Sequence, residues 1–529
     1  MAYHTTLYLL AFLPAVLVLY QLVPARFRWL VLIGASYLYF WLFSGALILY
    51  LIGTTVLVFA AGRRIEFLKR ECVLKTEELG KAERSAVKKQ YKHREKRILI
   101  AVIVILVAVL AYLKYYNFFA KNANAVLAAL GAEEVFDIRI LLVPIGISFY
   151  TLEAIGYITD VYWEKIPAGE PFGKTALFLS FFPQVMEGPI ALYGQTADRL
   201  WSGKPLKLRN LSDGAVRILW GLFKKAVIAD RLYLIVTELF ENYESYHGAM
   251  ILVAALSYTV QLYMEFSGCM DIVIGSGQLF GVTLPENFSR PFSAKSAAEF
   301  WRRWHISLGV WFRTYIFYPV SASALVKKWN KFAKKKYGKH ITKIGVSAMA
   351  LFPVWLSNGI WHGASWNYIF YGMYYFVILM AEVILEPVGE RIRSHLKNGE
   401  KDLRWTVPMQ LRTWVIIFTG ELFFRANGIK AGVHMFLSMF RGFDLSVFWN
   451  GTMLRFGLDK ADFLVIFFGL LTVGIVSNIE EHNRFGGKKP GDLKLPVRWG
   501  IYYALILAVI IFGAYGVGYQ QVDLIYAGF

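Results

Sequence analysis

The chain has 529 residues, of which 57% are hydrophobic and only 18% charged, where a soluble domain carries about 25% charged residues. This excludes a string of soluble domains, because the apolar residues fall in blocks that approach or reach the roughly 17–25 residues of a membrane span. The net charge of +20 does not indicate a nucleic-acid partner, since the basic residues gather between apolar blocks, chiefly at 63–97, 327–340 and 391–404, and carry no nucleic-acid motif.

The first apolar block, 7–20, has no basic residue before it, unlike a signal peptide, and Arg26 and Arg28 follow it. The positive-inside rule therefore predicts an extracytoplasmic N-terminus. Blocks 29–43 and 47–61 then cross out and back, so the most basic loop, 62–97, lands in the cytoplasm. Charge and parity agree. After block 98–113, segments 141–158 and 177–192 are broken by Pro144 and Gly146, and by Pro183, Gly188 and Pro189. Such residues interrupt backbone hydrogen bonding, so these stretches are expected to be shielded by protein or to line a cavity. Block 249–266 is a clear span. Residues 287–319 are too polar to span and too aromatic for a free loop, which predicts a re-entrant or interfacial helix. Blocks 411–424, 463–476 and 501–517 complete the series, with 486–491 as a Gly/Pro/Lys-rich linker. Backbone in lipid must satisfy itself, so the blocks are helices. The expected architecture is an all-α polytopic integral membrane protein of about 11–13 membrane segments, forming a single domain over 1–529. Cys72 and Cys269 lie far apart without C-x-x-C spacing, which suggests neither a disulfide framework nor a zinc site.

Two tryptophan–histidine pairs are the main candidates for chemistry. The first lies in Phe300-Trp301-Arg302-Arg303-Trp304-His305-Ile306-Ser307-Leu308. On one continuous helix, residues 301, 304, 305, 308, 311, 312 and 315 share a face. The aromatics then read as an interfacial helix at headgroup depth with snorkelling arginines, while for His305 structure and function are both open. The second pair lies in Ser357-Asn358-Gly359-Ile360-Trp361-His362-Gly363-Ala364-Ser365-Trp366. A helix there puts Asn358, Trp361, His362, Ser365 and Trp366 on one face and a Gly359/Gly363 notch for a neighbouring helix on another. A histidine at this depth is either a hydrogen-bonded packing residue or a base, since its ordinary pKa of about 6.5 suits proton transfer at neutral pH. Glu187, Glu265 and Asp271 sit in apolar surroundings, with Lys224 or Arg302 as possible partners. No P-loop, H-E-x-x-H or G-x-S-x-G motif is present.

A set of motifs in order resembles the membrane-bound O-acyltransferases, specifically the bacterial branch of alginate O-acetyltransferases and D-alanyl transfer proteins. They are Pro144-Ile-Gly-Ile-Ser-Phe-Tyr150, Phe181-Phe-Pro-Gln-Val-Met-Glu-Gly-Pro-Ile190, Gly221-Leu-Phe-Lys-Lys225, Glu265-Phe-Ser-Gly268, Glu286-Asn-Phe-Ser-Arg-Pro291, the 300–308 segment and Asn358-Gly-Ile-Trp-His-Gly-Ala364. The similarity runs from about Tyr37 to Ala426, with a motif core at about 140–426 and additional C-terminal spans at about 460–520. The resemblance implies that His362 matches the family's catalytic histidine and His305 the second histidine of the bacterial branch. It also implies a central funnel or tunnel in a bacterial plasma-membrane protein. Around it Asn358, Trp361, Trp301, Trp304, Arg302, Arg303, Ser307, Glu187 and Glu265 would shape a substrate chamber.

The donor implied is a cytoplasmic acyl thioester, acetyl-coenzyme A or an acylated carrier protein, with no bound cofactor and no metal because a thioester carbonyl is already activated. The acceptor implied is an extracytoplasmic glycan or a secreted or periplasmic transfer protein. Phe423-Phe-Arg-Ala426 and the later spans look like the longer polysaccharide O-acetyltransferase type. Glu265 and Cys269 stand where aspartate and tyrosine are usual, and Glu187 replaces a small residue, departures that bear on the acceptor. The alternatives are D-alanyl transfer toward teichoic acid with a carrier protein docking on 327–340, a secondary transporter, which would also have broken helices but two similar halves, and a catalytically silent scaffold.

Overall fold

Backbone out of reach of water must bond to itself, and this chain does so as helix. The structure, a computed structural model, describes residues 2–167, 169–396, 402–481 and 492–515. Among them there is no strand, only an isolated antiparallel bridge between Phe288 and Trp304. Seven helical stretches among the described residues are long and apolar enough to cross a membrane: Ala25–Thr76, Lys81–Ala129, Ala249–Leu279, Gly338–His362, Trp366–Ser394, Lys460–Glu480 and Leu495–Phe512. The higher segment number expected from sequence included shorter apolar pieces, such as Leu7–Leu22, and the broken ones. Ala25–Thr76 holds two of the expected crossings, divided at Gly45. The linker 486–491 and the end of block 501–517 lie outside the described residues.

The basic segment 62–97 is not a loop. Helices Ile48–Thr76 and Lys81–Leu110 run through it and leave only a turn at 77–80. Its Ala, Glu, Lys, Arg and Leu residues are good helix formers, and charges one turn apart pair, as Lys75 does with Glu71 at 2.8 Å. The periodicity of an apolar span stops at Gly62, but the helix does not.

The chain forms two compact units, Met1–Gly214 with Val273–Pro285, and Ala215–Ile272 with Glu286–Phe529. In the first, helix Ile147–Tyr162 is buried along Ile147–Val161. It starts after Gly146, whose φ of +67° and close approach admit no side chain: a Cβ there would sit 1.9 Å from the Val185 carbonyl oxygen. Helix Phe172–Ser180 ends before Pro183, and the non-helical stretch 181–192 is buried in protein as the broken pattern predicts. Side chains replace the lost helical bonds. Phe182 N donates to Ser36 Oγ at 3.0 Å, Met186 N to Tyr3 Oη at 3.2 Å and Ala191 N to Glu153 Oε1 at 3.2 Å.

In the second unit, the stretch expected as one helix from 301 to 315 is several short pieces: Ala297–Arg303, Ile306–Phe312 and the wider turn Arg313–Phe317. The break falls at Trp304, which is extended and bridged to Phe288, and at His305, which is left-handed. Trp304, Trp311 and Phe312 are buried in protein rather than spread at headgroup depth, while Arg302 and Arg313 are exposed. The interfacial reading of these aromatics is therefore replaced by a packed one.

The buried charges of this unit pair with one another. Asp271 meets Lys224, one of the two possible partners, and also Arg217 at 3.1 Å. Lys225 lies 2.6 Å from Asp230 and 3.5 Å from Glu265. Arg231 holds Asp462 at 2.9 Å, tying helix Asp230–Glu241 to helix Lys460–Glu481.

Candidate functional site

Helix Gly338–His362 carries Asn358, Trp361 and His362 on its last turns, all buried. It ends at His362, and Ser365 begins the next helix, Trp366–Ser394, so the expected polar–aromatic face stops short of Ser365 and of Trp366, which is exposed. The glycine notch behaves as its spacing suggests. A Cβ on Gly359 would lie 2.5 Å from the Tyr368 carbonyl oxygen, and one on Gly372 would lie 2.3 Å from that of Trp355. The two backbones touch there, which fixes where the histidine-bearing turn sits. Gly359→Ala is expected to destabilise by about 1–3 kcal/mol through overpacking, read as a lower melting temperature in detergent; an unchanged melting temperature would contradict the close approach.

His305 reaches the same place from the turn between Ala297–Arg303 and Ile306–Phe312. Its ring is 4.8 Å, centroid to centroid, from Phe266 and 5.7 Å from Trp361. Trp361 in turn lies 5.1 Å from the ring of His362, so one indole touches both histidines. His362 is closed in by Phe424 at 5.1 Å and Tyr371 at 5.9 Å. Trp301 continues the aromatic wall against Trp355 and Tyr375. His305 lies outside the seven candidate spans, and burial lowers its pKa to about 3, which leaves the ring uncharged at neutral pH.

A cavity of about 630 Å³ opens beside this cluster. His305, Trp304 and Asn358 line one end; Lys343 and Glu386 line the other and pair at 2.5 Å. From Lys343 to Asn358 along their shared helix is about 22 Å at 1.5 Å per residue. Arg302, Trp301 and Arg313 also face it. Ser307 is buried behind the His305 turn, and Arg303 pairs with Glu299 at 2.9 Å. Glu265 is held by Lys225 in the helix that also carries Phe266. The cluster draws on second-unit residues; Glu187 belongs to the first unit, buried within 181–192.

Sequence reasoning missed Phe266, Tyr371, Phe424 and Glu421. Tyr371 donates to Glu421 Oε1 at 2.9 Å, and Glu421 is fully buried. Glu421 carried a usable signal, because an ionisable residue inside an apolar block is functional by default. Phe266 and Phe424 fall inside the motifs 265–268 and 423–426 that carry the resemblance, whereas Tyr371 is ordinary in an apolar block and carried no signal.

Two imidazoles on one tryptophan, beside a cavity with a charged end, set a histidine that can take a proton next to one that burial keeps neutral. The comparisons agree with that chemistry. The sequence model of the membrane-bound O-acyltransferase family matches residues 171–417. The chain is 30% identical to the probable alginate O-acetylase of Pseudomonas syringae pv. tomato, over 92% of this chain and 84% of that protein. It is 28% identical to the peptidoglycan O-acetyltransferase of Helicobacter pylori over 62% of this chain and 61% of that one. A teichoic acid D-alanyltransferase of Bacillus subtilis is 28% identical over 50% of this chain and 64% of its own length. The chain belongs to the membrane-bound O-acyltransferase family and is a multi-pass O-acyltransferase.

Proposed function

We propose that the enzyme takes an acetyl group from a thioester on the cytoplasmic side of a bacterial plasma membrane and delivers it to a hydroxyl of an extracytoplasmic cell-envelope polysaccharide, or of a protein that carries the group there. The observation behind this reading is the course of the cavity. Its charged end, Lys343 and Glu386, lies next to the basic helix Ala324–Lys336 and to Arg391 and Arg393, the side that the positive-inside rule assigns to the cytoplasm. Its inner end is at His305 and Asn358, one helical turn from His362. The outward-facing N-terminus is a separate inference, resting on Arg26 and Arg28 after the first apolar block.

In the proposed reaction His362 accepts the proton of the acceptor hydroxyl as its oxygen attacks the thioester carbonyl. The carbon–sulfur bond then breaks, and the departing thiolate takes the proton back from the imidazolium. Neutral His305 donates a hydrogen bond that orients or polarises the carbonyl, and Asn358, Trp361 and the 300–308 segment shape the chamber. An acyl-histidine intermediate is the alternative route. The donor is a substrate, and the chemistry requires no metal.

Acetyl is favoured over D-alanyl because the O-acetylase relative matches most of the chain and the D-alanyltransferase relative half of it. The test uses Leu351, which lines the cavity away from the histidines. Leu351→Trp is expected to raise the KM for acetyl-coenzyme A about tenfold, the equivalent of 1.4 kcal/mol, with kcat retained. An unchanged KM would remove the cavity from the donor path. Label transferred only from an acylated carrier protein would move the assignment to the D-alanyl type.

A further inference from the structure

We propose that Asn287 is the positioning residue that holds His305 in its working conformation, an inference that rests on His305 belonging to the reaction centre. His305 stands at φ +46° and ψ +52°, a left-handed conformation that a residue with a side chain keeps only when its surroundings enforce it. The enforcement converges on one residue, through its side-chain amide and its main-chain carbonyl. Asn287 Oδ1 accepts from Ser307 N at 3.0 Å, and the Asn287 carbonyl oxygen accepts from Ile306 N at 3.0 Å. These are the two N–H groups directly after His305, and as the first of helix Ile306–Phe312 they have no acceptor within that helix. The other end of the same side chain, Nδ2, donates to Met270 Sδ at 2.9 Å.

Met270 lies one turn after Phe266 in helix Ala249–Leu279, and Phe266 is the ring set edge-on to His305. A single side chain thus ties the backbone of the His305 turn to the helix that packs its imidazole. On the two residues after Asn287, Phe288 bridges Trp304 and Ser289 N donates to Arg303 O at 2.9 Å, so the strand-like contact ends where Asn287 takes over. Asn287 is buried and does not line the cavity. Its effect must pass through His305.

The test is a double-mutant cycle on acetyl transfer by the full-length protein in lipid. Asn287→Ala is expected to lower kcat about 10- to 100-fold, the scale of a misplaced catalytic group, with the KM for acetyl-coenzyme A within about twofold of wild type. Asn287→Asp keeps the Oδ1 acceptor but lacks the Nδ2 donor, and is expected to recover part of the loss. In a His305→Ala background, Asn287→Ala should cost less than about twofold, because the two residues act as one unit. Full multiplication of the two losses would overturn the proposal. A His305→Ala variant as active as wild type would instead remove His305 from the reaction centre, a different failure. If Asn287→Ala does not fold, Met270→Leu takes its place. This near-isosteric change removes the Nδ2 acceptor and should give a smaller kcat loss that vanishes in the His305→Ala background; a loss that persists there would overturn the proposal equally.

Discussion

His362→Ala is expected to reduce acyl transfer by about 10²–10⁴-fold, the usual contribution of a positioned general base, while the protein still folds. Folding should survive because the ring sits at a helix end, between Trp361, Phe424 and Tyr371, whose own packing persists without it: Tyr371 packs on Trp301, Tyr375 and Phe424, and Phe424 on Tyr368. The turn is further fixed by the Gly359–Tyr368 and Gly372–Trp355 backbone contacts, which the substitution does not touch. Activity should therefore fall without a matching fall in melting temperature or yield. His362→Gln, which keeps hydrogen-bonding capacity but cannot take a proton, is expected to be nearly as inactive as the alanine variant. A glutamine variant with wild-type kcat would make His362 a packing residue.

The largest stability effect is expected at Lys225. Its side chain is 1% exposed and lies between Asp230 and Glu265, itself 2% exposed. Burial alone would oppose the charge on this amine, but the two carboxylates raise its pKa. Lys225→Met takes away the cation and leaves two carboxylates in low dielectric. Breaking a buried pair in this way costs about 3–5 kcal/mol, read by thermal or denaturant unfolding in micelles. The double variant Lys225→Met with Glu265→Gln should recover part of that loss, since the pair is coupled. Lys343→Met is the contrast: its pair with Glu386 is half exposed, and solvent-exposed pairs contribute little. Equal destabilisation by the two lysine variants would refute the buried network.

The parts of this fold legible in the sequence are those governed by local rules. Long apolar blocks had to be helices; Pro144 and Gly146 marked where helix could not yet begin, and Pro183 and Gly188 where it had stopped. The G-x-x-x-G spacing at Gly359 foretold a close helix neighbour. What escaped depended on residues distant in the chain. The 301–315 segment has a faultless helical period, and nothing within it says that Phe288 and Asn287 will bridge to it and turn His305 left-handed. The helical hairpin through 62–97 escaped for a different reason: hydropathy reports the end of a span, not the end of a helix. For the candidate site, both histidines stood out because each is next to a tryptophan in an apolar setting. Their shared contact with Trp361, and the pairing of Tyr371 with Glu421, came only with the packing of five separate segments.

The most direct test uses the protein reconstituted in sealed vesicles, with labelled acetyl-coenzyme A supplied only on the face that bears the basic helix Ala324–Lys336 and an oligosaccharide of a bacterial cell-envelope polysaccharide trapped on the other. Label is expected on the trapped oligosaccharide with wild-type protein and none with His362→Ala. Label confined to acceptor on the donor's own side would contradict transfer across the membrane.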